Sequence, residues 1–77
     1  MTDPLRIDPG DRTADEIVDE LEGGRRVIVT VEMLGRPHEI SLRYDGELFY
    51  CDTPTRLHKH STATEMRECI RKMGYGE

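Results

Sequence analysis

From residue 14 onward the apolar positions follow a helical period, then alternate, then return to a helical period. Ala14, Ile17, Val18 and Leu21 fall on one stripe of a helix. Thr13-Ala-Asp-Glu16 fits a capping box, with Thr13 as N-cap and Glu16 reaching back. Gly23-Gly24 then stops the helix. The next stretch, Val27 to Leu34, is β-branched and alternates. Val27, Val29, Val31 and Met33 face one side, and Ile28, Thr30, Glu32 and Leu34 face the other. Gly35-Arg36 suits a two-residue turn, and His38 to Tyr44 is a second alternating run. Asp45-Gly46 is a hairpin signal, and Glu47 to Cys51 reads as a third strand. Asp52 to His60 reads as a polar loop punctuated by Pro54. Thr62 and Glu65 make another capping box, followed by the stripe Ala63, Met66, Cys69, Ile70 and Met73. Gly74 ends this second helix.

The two turns fix a register that can be tested for consistency. Pairing Leu34 with Pro37 sets Val29 against Leu42, Val31 against Ile40 and Glu32 against Glu39. Pairing Tyr44 with Glu47 sets Leu42 against Phe49 and Ile40 against Cys51. Both hairpins then place their apolar residues on the same face. One apolar face needs a cover, and two amphipathic helices supply it. The expected fold is therefore α+β, a two-layer α-β-β-β-α sandwich. A three-stranded antiparallel meander carries both helices on one face. Residues 1–12, with Pro4, Pro9 and Gly10, read as an extended acidic lead-in, and residues 13–77 as a single domain.

Composition adds to this picture. Seventy-seven residues suffice for one core, and such a chain buries only roughly 60% of its unfolded surface. The formal charge is -5, and it is unevenly placed. Residues 1–24 hold eight acids and two arginines, while the remainder holds eight acids and nine bases. Nine of the eleven bases are Arg, and only Lys59 and Lys72 are Lys. Abundant carboxylates with almost no Lys suit a surface hydrated in molar salt, where repulsion is screened within about 3 Å. The acidity disfavours tight binding to nucleic acid or anionic lipid. No run approaches the roughly 20 apolar residues of a membrane span, and Met1-Thr-Asp-Pro-Leu lacks a secretory pattern. A reducing cytoplasm with two free thiols, Cys51 and Cys69, is the expectation.

Three sets of residues could carry a function. Cys51, His58, His60 and Cys69 hold two thiols and two imidazoles, the donor types that tetrahedral zinc prefers. Their spacing matches no standard zinc module, and both cysteines also sit on apolar stripes, where core packing explains them. Arg56, Lys59, Arg67 and Arg71, with Ser61 and Thr62 at the start of the second helix, could meet an anion or nucleic acid. Capping alone also accounts for Ser61 and Thr62. On the outer sheet face Ile28, Leu48 and Tyr50 form an apolar island beside Arg43, suited to a partner protein or a homodimer. Leu48 and Tyr50 would lie on the edge strand of the meander.

No dinucleotide, Walker, zinc-protease or serine-hydrolase motif is present, so no catalytic residue is assigned and no cofactor is required. The expectation is a non-enzymatic protein-interaction module. A small zinc protein and a weak anion or nucleic-acid binder are the alternatives. With its Arg-rich acidic composition, the stretch Gly46-Glu-Leu-Phe-Tyr-Cys-Asp-Thr-Pro-Thr-Arg-Leu-His-Lys-His60 leads into Glu65-Met-Arg-Glu-Cys-Ile-Arg-Lys-Met-Gly74. In this the chain resembles small acidic uncharacterised proteins of halophilic archaea. That resemblance is of general type and carries no functional residue with it.

Overall fold

A computed structural model describes residues 3–77. The chain runs β1 (Leu5–Ile7), α1 (Ala14–Glu22), β2 (Val27–Met33), β3 (Arg36–Tyr44), β4 (Phe49–Asp52), β5 (Leu57–His60) and α2 (Ala63–Met73). The five strands form one sheet in the order β1-β2-β3-β4-β5. β1 pairs with β2 in parallel, and every other pair is antiparallel. The fold is α+β with a mixed sheet, which corrects the expected three-stranded meander. The extra strands sit at the two edges. β1 lies within the expected lead-in, whose Met1 and Thr2 fall outside the described residues. β5 lies within the expected polar loop.

Both helices start as their sequences require. At α1, Glu16 N–H donates to Thr13 Oγ1 (3.1 Å) and Thr13 N–H to Glu16 Oε1 (3.0 Å), a complete capping box. At α2, Glu65 N–H donates to Thr62 Oγ1 (3.1 Å). The return arm differs, because the Glu65 carboxylate accepts instead from the backbone and hydroxyl of Ser61, at 3.0 and 2.9 Å. Ser61 and Glu65 thus close a loop one residue wider than a capping box.

One core joins helices and sheet. α1 contributes Ala14, Ile17, Val18 and Leu21, and α2 contributes Met66 and Ile70. The inner sheet face contributes Ile7, Val27, Val29, Ile40, Leu42, Phe49 and Cys51. Burying each large aliphatic side chain among them is worth about 1.5–3 kcal/mol, which is why the alternation in the strands is so strictly kept.

The register differs from expectation by two residues in each hairpin. Val27 pairs with Leu42, Val29 with Ile40 and Val31 with His38. Leu42 pairs with Cys51, and Tyr44 with Phe49, whose rings stack at 4.3 Å. The first loop is Leu34-Gly35, with positive φ at both residues (54° and 76°), as a type I′ turn demands. The second is the four-residue loop 45–48, in which Asp45 Oδ1 accepts from the N–H groups of Glu47 and Leu48, both at 2.8 Å. A slip of two preserves the parity of every side chain, so the expected inner face survives. The expected Glu32–Glu39 facing pair does not. Glu39 lies opposite Thr30 and forms an ion pair with Arg6 of β1.

The last three residues fasten the layers together. Gly10 N–H donates to Tyr75 O (3.3 Å), Ala14 N–H to Glu77 O (2.7 Å) and Glu77 N–H to Arg12 O (3.1 Å). Tyr75 is buried in the core cluster. Gly76 passes so close to both helices that an added Cβ would lie 2.8 Å from Ile17 Cδ1 and 2.9 Å from Ile70 Cγ2.

Candidate functional site

β5 is an edge strand, and its parity decides where its side chains go. His60 pairs with Phe49 and His58 with Cys51, so both imidazoles share the inner side of the sheet with these two residues. Leu57 and Lys59 take the outer side, opposite Asp52 and Tyr50. α2 runs past the inner side, and a cleft of about 300 Å³ separates the two elements. β5 lines it with His58 and His60, and α2 with Glu65, Glu68, Cys69, Lys72 and Met73. A neighbouring hollow of about 390 Å³ shares the His58 and Met73 walls and adds Met33, Ile40, Tyr75 and the loop 53–56. His60 Nε2 is closed off from solvent and has no hydrogen-bond partner among the described residues. A buried imidazole nitrogen left in this way is costly unless a water or a ligand satisfies it.

The four candidate zinc donors are thus drawn to one corner. Cys51 is fully buried at the inner face of β4, and Cys69 packs against the core from α2 while lining the cleft. Both are free thiols. Burial pushes the Cys51 thiol up to about 12, and the neighbouring Cys69 and Asp52 add to the shift. Burial raises the Cys69 thiol as well, against the pull of Cys51 and of the Lys72 charge. Tyr75 is buried in the same core cluster, its phenol also pushed up to about 12 by burial, with the two thiols adding to the shift. Among the described residues, no three His, Cys, Asp or Glu side chains converge as metal ligands.

The anion set is distributed rather than gathered. Arg67 Nε lies 2.7 Å from Asp15 Oδ1, and Arg71 Nη2 lies 4.0 Å from the same oxygen, so both turn toward α1. Lys59 is on the outer sheet face, and Arg56 borders the second hollow. The Ser61 hydroxyl donates to Glu65, and Thr62 caps α2.

The outer apolar island is covered by its own chain. Arg43 lies 4.0 Å over the Tyr50 ring, and the Tyr50 hydroxyl donates to Asp45 Oδ2 at 2.7 Å. Ile28 is only 8% exposed, and Leu48 sits half-buried in the 45–48 loop rather than in a strand. β5 covers the edge that was expected to carry Leu48 and Tyr50. The large apolar side chains left exposed are instead Met33, Leu34, Leu57 and Met73, two of them at β5 and its cleft.

Reading Asp52 to His60 as a loop hid the cleft, and with it the roles of Glu65, Glu68, Lys72 and Met73. The signal that could have found it is the His-x-His spacing, which in a strand returns both imidazoles to the face of Cys51. No helix among the described residues is long and apolar enough to cross a membrane. The model of DUF8001, a family of unknown function, matches residues 1–77. No curated protein and no solved structure matches the chain.

Proposed function

Because the chain belongs to the DUF8001 family of unknown function, we propose that it is a small non-enzymatic interaction module whose β5 edge takes up an acidic extended segment of a partner protein. One observation carries this reading. β5 ends the sheet, so half of its backbone hydrogen-bonding groups have no strand beside them. The same segment is the cationic one in an acidic chain. From residue 53 to residue 60 there are Arg56, His58, Lys59 and His60 and no carboxylate. An incoming strand would gain ladder hydrogen bonds from the edge and charge pairing from Arg56 and Lys59. Its inner side chains would enter the cleft, where Lys72 adds a further cation and Met73 an apolar wall. Two acids also line the cleft, Glu65, which is already held by Ser61, and Glu68. The setting we propose is a reducing cytoplasm at high salt, in keeping with the acidic, Lys-poor surface.

The test is a titration of isotope-labelled protein with a peptide alternating Glu and Val, followed amide by amide. Shifts confined to residues 56–60 and the facing side of α2, weakened but still present in molar KCl, are expected. Shifts confined to the Ile28, Arg43 and Tyr50 face would move the contact to the outer sheet. Broadening of β5 by the protein's own concentration would make the occupant a second copy.

A second reading, a small zinc protein, is favoured by the orphaned His60 Nε2 beside Cys69 and His58. Zinc binding there would require β5 to close on α2, and would release protons from the raised thiols. Calorimetry with zinc in two buffers of different ionisation heat decides it, because absence of heat at stoichiometric zinc excludes the site.

A further inference from the structure

We infer that the tip of the β2–β3 hairpin docks a second copy of this chain, each copy seating Leu34 in the other's hollow beside Tyr75. The contact does not use the free backbone edge of β5 and does not depend on the acidic partner proposed for it.

Two features of the surface fit one another. The first is a projecting apolar tip. Glu32 to Pro37 are all exposed, beyond the cover of either helix. At their centre Leu34 is wholly exposed, and Met33 beside it is 42% exposed. Two-residue hairpin loops of this kind ordinarily carry Asn, Asp or Gly at this position. Here a leucine holds it at φ 54°. Leu34 thus bears a backbone cost and an exposure cost together, with no packing inside its own chain to offset them. The second feature is the hollow of about 390 Å³, whose apolar walls are Met33, Ile40, Pro54, Met73 and Tyr75. It has room for an isobutyl group, and seating one there takes apolar surface on both sides out of water.

The placing of the tip selects the occupant. Met33 is a wall of the hollow and Leu34 is the next residue, so knob and hole belong to one continuous patch. A two-fold axis through such a patch lets each copy give its knob to the other's hole, and the contact closes at two. Knob and hole on opposite faces would instead build an open filament. Charge agrees with this pairing. Glu32 stands two residues before the knob, and Arg56 borders the hole. Neither forms an ion pair among the described residues. Docking sets Glu32 of each copy toward Arg56 of the other, twice per dimer. The segments 32–38 and 53–58 hold that single acid against Arg36 and Arg56, so the contact avoids the acidic surplus of a chain with net charge -5. Of the four large apolar side chains the fold leaves exposed, Met33, Leu34 and Met73 are covered together.

Sedimentation velocity of the full chain, from micromolar to millimolar concentration in dilute buffer and in molar KCl, tests the inference. The monomer is expected to give way to a dimer and to nothing larger, in both buffers. Leu34→Asn keeps the turn, since asparagine accepts positive φ. It should raise the dissociation constant at least about a hundredfold, because each dimer loses two buried leucines. Met73→Lys should weaken the dimer from the side of the hole, and circular dichroism checks that both variants fold. In a mixture of isotope-labelled and unlabelled chains, the Leu34 methyls of one copy should show nuclear Overhauser contacts to Met73 of the other. A chain that stays monomeric throughout, or species that grow beyond two, overturns the proposal. So does a dimer unaffected by Leu34→Asn, the outcome expected of pairing through the β5 edge, which that substitution leaves untouched.

Discussion

Arg67 on α2 sets its Nε 2.7 Å from Oδ1 of Asp15 in the first turn of α1, and so bridges the two helices. Asp15 also faces the positive end of its own helix dipole. With side-chain exposures of 67% for Asp15 and 30% for Arg67, the pair is worth little more than a surface bridge. A double-mutant cycle with Asp15→Ala and Arg67→Ala should give a coupling of about 0.5 kcal/mol in dilute buffer, fading in molar KCl. The whole chain should behave in the opposite sense. Its unfolding midpoint should climb from dilute buffer to molar KCl, as repulsion among the N-terminal acids is screened. A midpoint that falls with salt would remove the case for salt adaptation.

Leu34 is fully exposed and holds φ at 54° at the tip of the β2–β3 hairpin. A side chain with a Cβ pays about 1 kcal/mol in this region, and asparagine pays least of the non-glycine residues. Leu34→Asn should therefore stabilise the fold by about 1 kcal/mol, seen as a higher denaturant midpoint at unchanged slope. Equal or lower stability would mean that Leu34 makes a contact worth more than its strain.

Gly74 and Gly76 make a controlled comparison. At Gly74 the backbone is left-handed (φ 78°) but an added Cβ meets open space. At Gly76 the Cβ meets Ile17, Ile70 and the Arg12 carbonyl oxygen at 3.1 Å or less. Gly74→Ala should cost about 1 kcal/mol through conformation alone. Gly76→Ala should cost about 1–3 kcal/mol through overpacking, and should also speed exchange of the Ala14 and Glu77 amides. Equal losses at the two sites would contradict the close approach.

Asp45 supplies an acid-side signature. Hydrogen bonds from Leu48 N–H, the Tyr50 hydroxyl and Glu47 N–H hold its carboxyl down at about 2, against the ordinary 3.8. Folding therefore favours the ionised form. The resulting stability is whole above pH 3.8 and disappears as pH falls toward 2. Tyr50→Phe removes one donor, so the Asp45 midpoint should move up toward 3.8 in a carboxyl-carbon NMR titration. An unmoved midpoint would show that the backbone donors suffice.

Legibility in the sequence followed the range of the interactions. Capping at Thr13 and Thr62 is local and was readable. The inner face was readable because parity tolerates a slip of two, and Val27, Val29, Ile40 and Leu42 leave no other face to bury. β1 was not, because a strand of three residues has no period of its own, and its partners Val27 to Val29 lie beyond a helix. β5 was not, because Leu57 is the one apolar residue in Leu57, His58, Lys59 and His60, which leaves no alternation of hydropathy to read. The same polarity concealed the cleft, although the shared side of His58 and His60 was legible once the segment was taken as extended.

The parallel pairing of β1 has a kinetic consequence. The strands from β2 to β5 join neighbours in sequence through short loops, so they can zip from any turn. β1 must wait until α1 has crossed the sheet before Leu5 can reach Val27. It is held there by three residue pairs, by Leu5 N–H on Arg26 O at 2.8 Å, by Arg25 Nε on Asp3 O at 3.0 Å, by the exposed Arg6–Glu39 ion pair, and by the one buried side chain of Ile7. A strand added last, with a single side chain in the core, is also the first to leave. Its amides should exchange through an opening smaller than global unfolding, one that bares the outer edge of β2 while the remaining four strands stay paired.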